Sequence, residues 1–177
     1  MPEAIRIRAV DTASDRDIEQ LAAVLADCVE GGASVSFMLP MTRAKAVSFW
    51  RSVAKSVARG ERLLFVAEDA EGIVGTVQVI LDLPENQPHR ADVAKMLVHR
   101  RARRQGVGER LLGAAEDGAR AMNRRILVLD TASDAAARLY ARGGWKVVGM
   151  VPDYALLPGG DPCATTYFYK DLSSTSS

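Results

Sequence analysis

The sequence predicts a mixed α/β fold, a sheet covered by helices, and three observations predict it. Short apolar or alternating segments recur between segments of helical period, in the order β-α-α-β-β-β-α-β-α-β-β. At 177 residues, 48% hydrophobic and 25% charged, the chain is long enough for one substantial core and short for two. No apolar run approaches the ~18 residues of a membrane span, and the start, Met1-Pro-Glu-Ala-Ile-Arg-Ile-Arg, lacks the apolar stretch of a secretory leader. The expectation is one domain over residues 1–172 of a cytoplasmic protein, with a frayed tail over 173–177. Element order alone permits either a mixed sheet or a doubly wound parallel one.

Each element has a local justification. Residues 5–10 alternate apolar positions with Arg6 and Arg8, a strand pattern. Ser14 or Asp15 can cap a helix whose apolar face is Ile18, Leu21, Ala22, Leu25 and Val29, and Gly31-Gly32 ends it. A second helix begins near Thr42, sets Val47, Trp50, Ala54 and Val57 on one side, and ends at Gly60. Residues 62–68 and 73–82 are strands joined by the turn Asp69-Ala-Glu-Gly72. Residues 91–98 form the next strand, followed by a basic turn and an amphipathic helix over 109–122. Arg125-Ile-Leu-Val-Leu-Asp-Thr131 is an apolar run of strand length, and Ala135-Ala-Ala-Arg-Leu-Tyr-Ala-Arg-Gly-Gly-Trp145 a short helix closed by glycines. Two last strands, 145–151 and 164–172, flank the turn-rich Leu157-Pro-Gly-Gly-Asp-Pro162.

The most informative segment is Val98-His-Arg-Arg-Ala-Arg-Arg-Gln-Gly-Val-Gly108, a strand end, a basic turn and a helix start. Gly106 and Gly108 lack a Cβ, so the backbone can bring its N–H groups close to a ligand. The helix beyond leaves its first N–H groups unpaired and its positive end favours an anion. A P-loop would need Lys-Ser/Thr after the last Gly, where Glu109-Arg110 stands; a dinucleotide fingerprint would need Gly at Leu111. The plainer reading is a helix start with solvated arginines.

What remains, Arg103-x-x-Gly106-x-Gly108, resembles the Arg/Gln-x-x-Gly-x-Gly/Ala acetyl-CoA loop of the GNAT family of N-acetyltransferases. The second block of that family is matched by Ala136, Leu139-Tyr140 and Gly144-Trp145, with Ser133 where an Asn often stands. The resemblance implies a mixed, mostly antiparallel sheet of six to seven strands with helices on both faces. It also implies a splay between the fourth and fifth strands, near Val98 and Asp130. Acetyl-CoA would be the acyl donor, its pantetheine arm in the splay along Met96, Leu97 and Val98. Its diphosphate would lie on Arg103, Arg104, Gln105 and Gly106, with Val107, Gly108 and Glu109 at the helix start.

The resemblance places chemistry at the mouth of the splay. An amine with pKa near ~10 must lose a proton before attack, so a carboxylate acting directly or through water suits a general base. Asp130 is the first candidate; it could instead cap the turn over 133–137. Asp92, His89 and Glu68 are reserves on or beside neighbouring strands. In the family the phenol matching Tyr140 hydrogen-bonds the departing sulfur; a core tyrosine packed on Ala136 is the alternative. Proton transfer from a phenol at ~10 to a thiolate at ~8.5 is uphill by about 2 kcal/mol. By the same resemblance the Val98 N–H could polarise the acetyl carbonyl.

Substrate identity must come from the first half of the chain. The loop Gly31-Gly-Ala-Ser-Val-Ser-Phe-Met38 can bring backbone amides and the Ser34 hydroxyl to a small zwitterion, or serve only as a helix end. It is similar to the loop of the tabtoxin-resistance branch of the family, as are Arg90-Ala-Asp-Val-Ala-Lys95 and the stretch from Tyr154 to Phe168. Gly32, Ala33, Ser34 and Asp92 are thus candidate substrate contacts, and detoxification of a tabtoxinine-β-lactam-like antibiotic is one implied use. A protein or peptide acceptor, or a non-catalytic acyl-CoA-binding module, stays open. Net charge +1 argues against a nucleic-acid partner, and Cys28 and Cys163 are expected to pack. No metal site or membrane contact is indicated, and exposed final strands leave room for a homodimer.

Overall fold

The computed structural model describes residues 4–173; residues 174–177, most of the expected frayed tail, lie outside the described residues, as do 1–3. The elements are β1 (Arg6–Ala9), α1 (Asp15–Glu30), α2 (Arg43–Ala58), β2 (Arg62–Asp69), β3 (Gly72–Ile80), β4 (Arg90–Val98), a 3₁₀ turn (Arg100–Ala102), α3 (Val107–Ala121), β5 (Ile126–Thr131), α4 (Asp134–Arg142), β6 (Lys146–Leu156) and β7 (Pro162–Asp171). The seven strands lie in the order β1-β2-β3-β4-β5-β7-β6. Only β4 and β5 run parallel; every other pair is antiparallel. This is the mixed, mostly antiparallel sheet that the resemblance implies, and it rules out the doubly wound alternative.

Two cores lie on opposite faces of the sheet. Leu111, Leu112 and Ala115 of α3 join Tyr140 of α4, Leu127 and Leu129 of β5 and Phe168 of β7 in one. Leu21, Leu25 and Val29 of α1 join Trp50 of α2, Val66 and Leu97 in the other. Alternation along the strands decides the faces: Leu127 and Leu129 are buried beneath α3 and α4, and Asp130 emerges exposed.

Caps fix the helix starts. Ser14 Oγ accepts from the Asp17 N–H at 3.0 Å and an Asp17 carboxylate oxygen accepts from the Ser14 N–H at 2.9 Å, a reciprocal box. Thr42 caps α2 with a single bond, its hydroxyl accepting from the Lys45 N–H at 3.2 Å. The inward stripe of α2 is Ala46, Trp50, Val53 and Ser56, while Val47, Ala54 and Val57 are only half-buried. The helix is rotated by about one position from the expected face because fully buried Trp50 centres the stripe. Ser56 can join it because its hydroxyl bonds Glu61 and Arg62 at 3.0 and 2.8 Å.

Two irregularities position the site. β6 continues past the expected end at Val151 to Leu156, through a register shift between Val151 and Ala155 that includes Asp153 at φ 50. Pro152 is tolerated there because β6 is an edge strand with no ladder on its outer side. In β4 the register against β3 shifts between Thr76 and Gln78, and Lys95 takes φ 53. Parallel pairing with β5 covers only Arg90, Ala91 and Asp92, although β4 runs on to Val98. Beyond Asp92, β4 is therefore paired on the β3 side alone, with Lys95 and Met96 left out of that ladder as the bulge, and the gap toward β5 is the splay.

Candidate active site

The basic turn is anchored before it can receive a ligand. Asp27 of α1 accepts from the Arg100 N–H at 2.9 Å and from its guanidinium, and His99 lies 3.7 Å away. Burial pushes the Asp27 carboxyl up, but these donors outweigh it and hold the carboxyl below the usual range. Arg101 pairs with Asp69, and Arg103 Nε folds back onto the Val98 carbonyl at 3.2 Å. Of the clustered arginines only Arg104 has no side-chain partner among the described residues. Acids on α1 and β2 thus balance Arg100 and Arg101, while Arg103 and Arg104 pair with no acid among the described residues.

Beyond that anchor the backbone is open. None of the N–H groups of residues 104–109 donates to a protein acceptor among the described residues. Gly106 caps α3 at φ 73, the left-handed region, with open space where a Cβ would stand. At Gly108 a Cβ would lie 3.0 Å from Leu139 Cδ2, so its absence also lets α4 close on the start of α3. A run of unpaired N–H groups at a helix N-terminus, beside a strand edge free on one side, fits a diphosphate with an extended amide arm.

Asp130 stands in the last turns of β5, opposite Tyr167 of β7. Thr165 Oγ1 donates to its carboxylate at 2.7 Å. It does not cap α4: that place belongs to Ser133, whose hydroxyl accepts from the Ala136 N–H at 3.2 Å. The departure from Asn at this position leaves a side chain committed to the helix. Tyr140 is 4% exposed, its ring 5.8 Å from Trp145 and 5.7 Å from Phe168. Burial first, and then the Asp130 charge, push its phenol up to about 12. The hydroxyl has no protein partner among the described residues and is not among the sealed, unpaired polar atoms, so it keeps access to a ligand.

A cleft of about 300 Å³ opens on the far face from α4. Its walls include Ser34, Ser36, Asp130, Tyr154, Cys163 and Thr165. It thereby brings Ser34 and Asp130 together, whereas Gly32, Ala33 and Asp92 lie outside its wall. Asp92 is engaged by Arg90. Glu68, on β2 and three strands from β5, is bound by Arg6 and Arg8. His89 contributes its carbonyl to the Arg125 and Ile126 N–H groups, and Glu109 only its place in the first turn of α3.

Several site residues carry no signal at their own position in the sequence. Cys163, expected only to pack, lines the cleft with Sγ 3.6 Å from Ser34 Oγ. Tyr154 and Tyr167 share a hydrogen bond of 2.8 Å beside Asp130. That bond first, then burial and nearby carboxylates, push the Tyr167 phenol up to about 12. Lys95, from the β4 bulge, reaches Ser36 Oγ at 3.2 Å. The resemblance reached some of these segments but gave the residues no roles.

An open strand edge beside an N–H cradle is the geometry of a protein that holds a diphosphate-bearing ligand with an extended amide arm. The model of the GNAT acetyltransferase domain matches residues 60–147, the stretch holding β4, the cradle and α4. An uncharacterized N-acetyltransferase from the hisH-hisA intergenic region of Azospirillum brasilense is 30% identical over 128 residues, 71% of this chain and 74% of that protein. The N-acetyltransferase of Staphylococcus aureus Mu50 superposes with TM-score 0.79 at 18% identity, covering 96% of this chain and 99% of that one. A candidate acetyltransferase of Salmonella typhimurium, solved with its cofactor acetyl-CoA, gives TM-score 0.75 at 17% identity, over 98% and 97% of the two chains. The chain belongs to the GNAT family of acetyltransferases; it is an acyltransferase, and acetyl-CoA is its acyl donor. Among the described residues no helix is long and apolar enough to cross a membrane.

Proposed function

We propose that the protein acetylates the amino group of a small, amino-acid-like compound, with Asp130 as general base and Tyr140 as hydrogen-bond donor to the leaving sulfur. One observation carries the reading: Asp130 is fixed by Thr165 in the wall of a small cleft, and its charge is felt at Tyr140 on the opposite face. The donor would lie along residues 96–98, with its diphosphate on the N–H groups of 104–109 and Arg104 beside it. When bound, it supplies the thioester-activated acetyl group.

Asp130 then takes the proton that the acceptor ammonium must lose, and Thr165 keeps the carboxylate turned to the cleft. The Val98 N–H offers one donor to the acetyl oxygen. With the Tyr140 phenol at about 12, transfer of its proton to a free thiolate at ~8.5 is uphill by roughly 5 kcal/mol. Tyr140 therefore stabilises the sulfur through a hydrogen bond as charge develops there, and keeps its proton. The cleft volume of about 300 Å³ suits a small acceptor better than an extended peptide. A β-lactam amino acid of the tabtoxinine type is one member of that class. A second copy of the chain would pair along β6.

The test is free-thiol release from acetyl-CoA against amino acids, β-lactam amino acids, polyamines, aminoglycosides and short peptides, beside a cofactor titration. Turnover confined to amino-acid-like amines is expected. Turnover of peptides alone would transfer the assignment to a protein acceptor, and tight binding with no turnover of any acceptor would mark a non-catalytic module.

A further inference from the structure

We infer that Lys95 is the anion-recognising residue of the acceptor site, so that the amine acetylated by this enzyme carries a carboxylate or similar anionic group. The inference rests on the small-acceptor reading above and narrows it to a zwitterion held at both ends, amine toward Asp130 and anion toward Lys95.

The placement of Lys95 comes from the β4 bulge. The register shift against β3 falls at this point of β4, and the Lys95 backbone takes a left-handed φ of 53. Its ammonium lies behind the wall of the acceptor cleft, 3.2 Å from the Oγ of Ser36, which lines the cleft, and 6.0 Å from the centre of the Phe49 ring. No carboxylate lies within ion-pair distance of it among the described residues. An ammonium has three donors, and the protein uses one of them.

The surroundings make this more than one unpaired lysine. Burial lowers the Lys95 pKa; the Asp130 charge opposes that shift and Arg62 reinforces it, so all three groups share one electrostatic neighbourhood. Arg62 also has neutral hydrogen-bond partners, Ser56 at 2.8 Å and Gln78 at 2.6 Å. Asp130 is bonded to Thr165, and Asp92 is occupied by Arg90. By contrast Arg6 and Arg8 share Glu68, and Arg100 and Arg101 pair with Asp27 and Asp69. The acceptor side thus holds a half-buried cation with no carboxylate at ion-pair distance among the described residues, in the field of Asp130. A ligand bearing an ammonium and an anion complements both, and a polyamine or aminoglycoside brings a second cation toward Lys95.

The experiment measures thiol release with matched trios: each amino acid that is turned over, its α-carboxamide and its decarboxylated amine. The wild-type protein is expected to use the acid with the lowest KM. Lys95→Gln should raise KM for the acid about 10- to 100-fold, the loss of one charged hydrogen-bonding partner, while kcat changes less than about threefold. The amide and the amine should be nearly unaffected, and Lys95→Arg should restore preference for the acid. Equal use of acid and amide by the wild-type protein overturns the inference even if Lys95→Gln does not fold, and leaves the small-acceptor reading standing. An unchanged acid-to-amide ratio in a folded Lys95→Gln protein does the same. Thiol release with peptides and no small amine overturns both.

Discussion

At the residue scale, the cleft separates groups whose roles can be told apart by what each substitution leaves intact. Asp130→Asn keeps the hydrogen bond from Thr165 and removes the base, so kcat should fall about 10²- to 10⁴-fold while the acetyl-CoA Kd stays within about twofold. A fall in cofactor affinity instead would make Asp130 a binding residue. Tyr140→Phe should lower kcat by about 10- to 100-fold, the value of one charge-assisted hydrogen bond. The same variant carries a stability signature. The phenol is raised from 10.0 to about 12 in the folded protein, so the native state holds this proton more tightly than the unfolded chain. That contribution, up to about 3 kcal/mol, is complete below pH ~10 and is lost as pH climbs through the folded value. Denaturant melts should show the wild-type protein losing stability more steeply than Tyr140→Phe above pH ~10; parallel profiles would mean the phenol is not desolvated. Cys163 offers a readout independent of proton transfer. A maleimide on its thiol projects into the wall shared with Ser34, so labelling should block turnover, acceptor should protect, and Cys163→Ala should be indifferent to the reagent.

At the element scale, the cradle depends on a few local conformations, and this is also where sequence and structure can be weighed. Gly106 holds φ 73 with free space around it, so Gly106→Ala pays no clash, only the left-handed backbone cost of about 1–2 kcal/mol. Stability should fall by that amount, and acetyl-CoA affinity by about tenfold as the N–H groups rotate. A circular-dichroism melt and a cofactor titration check the two separately. Signals carried by neighbours in the chain were legible: the Ser14 and Thr42 caps, the Gly106 turn, and the helix from Ser133 to Tyr140 all follow from adjacent residues. Features made by distant segments were not. Asp27 interrupts an apolar helix face and looks misplaced until Arg100, far along the chain, arrives to use it. The α2 face drifted because periodicity does not say which large residue the sheet will seat, and Trp50 took the centre. Lys95 stays silent because a β-bulge is set by register between strands, and the room that the missing Cβ of Gly108 leaves for Leu139 depends on a helix further along the chain.

At the scale of the whole molecule, the two edges of the sheet are built on opposite principles. β1 is four residues long and guarded by Arg6 and Arg8 on Glu68, charges that discourage pairing with another chain. β6 is eleven residues long, and its outer edge has no strand beside it. Successive residues of a strand point to opposite faces, yet Val147 is 62% and Val148 66% exposed, with Met150 at 65%. Both faces of that edge are apolar and bare, a surface that a soluble monomer seldom leaves uncovered. A second copy laid along β6 would cover both, and its symmetry would require no further partner. Light scattering should therefore find a dimer at micromolar concentration, and Val148→Glu with Met150→Lys should give a monomer. The site supplies a second readout, because Tyr154 and Leu156 of the same strand line the acceptor cleft. If pairing holds β6 in place, the monomeric variant should raise the acceptor KM and leave the acetyl-CoA Kd unchanged, since the cradle lies on α3, away from this edge. A wild-type protein that stays monomeric at tens of micromolar would instead make the bare edge a surface for some other chain.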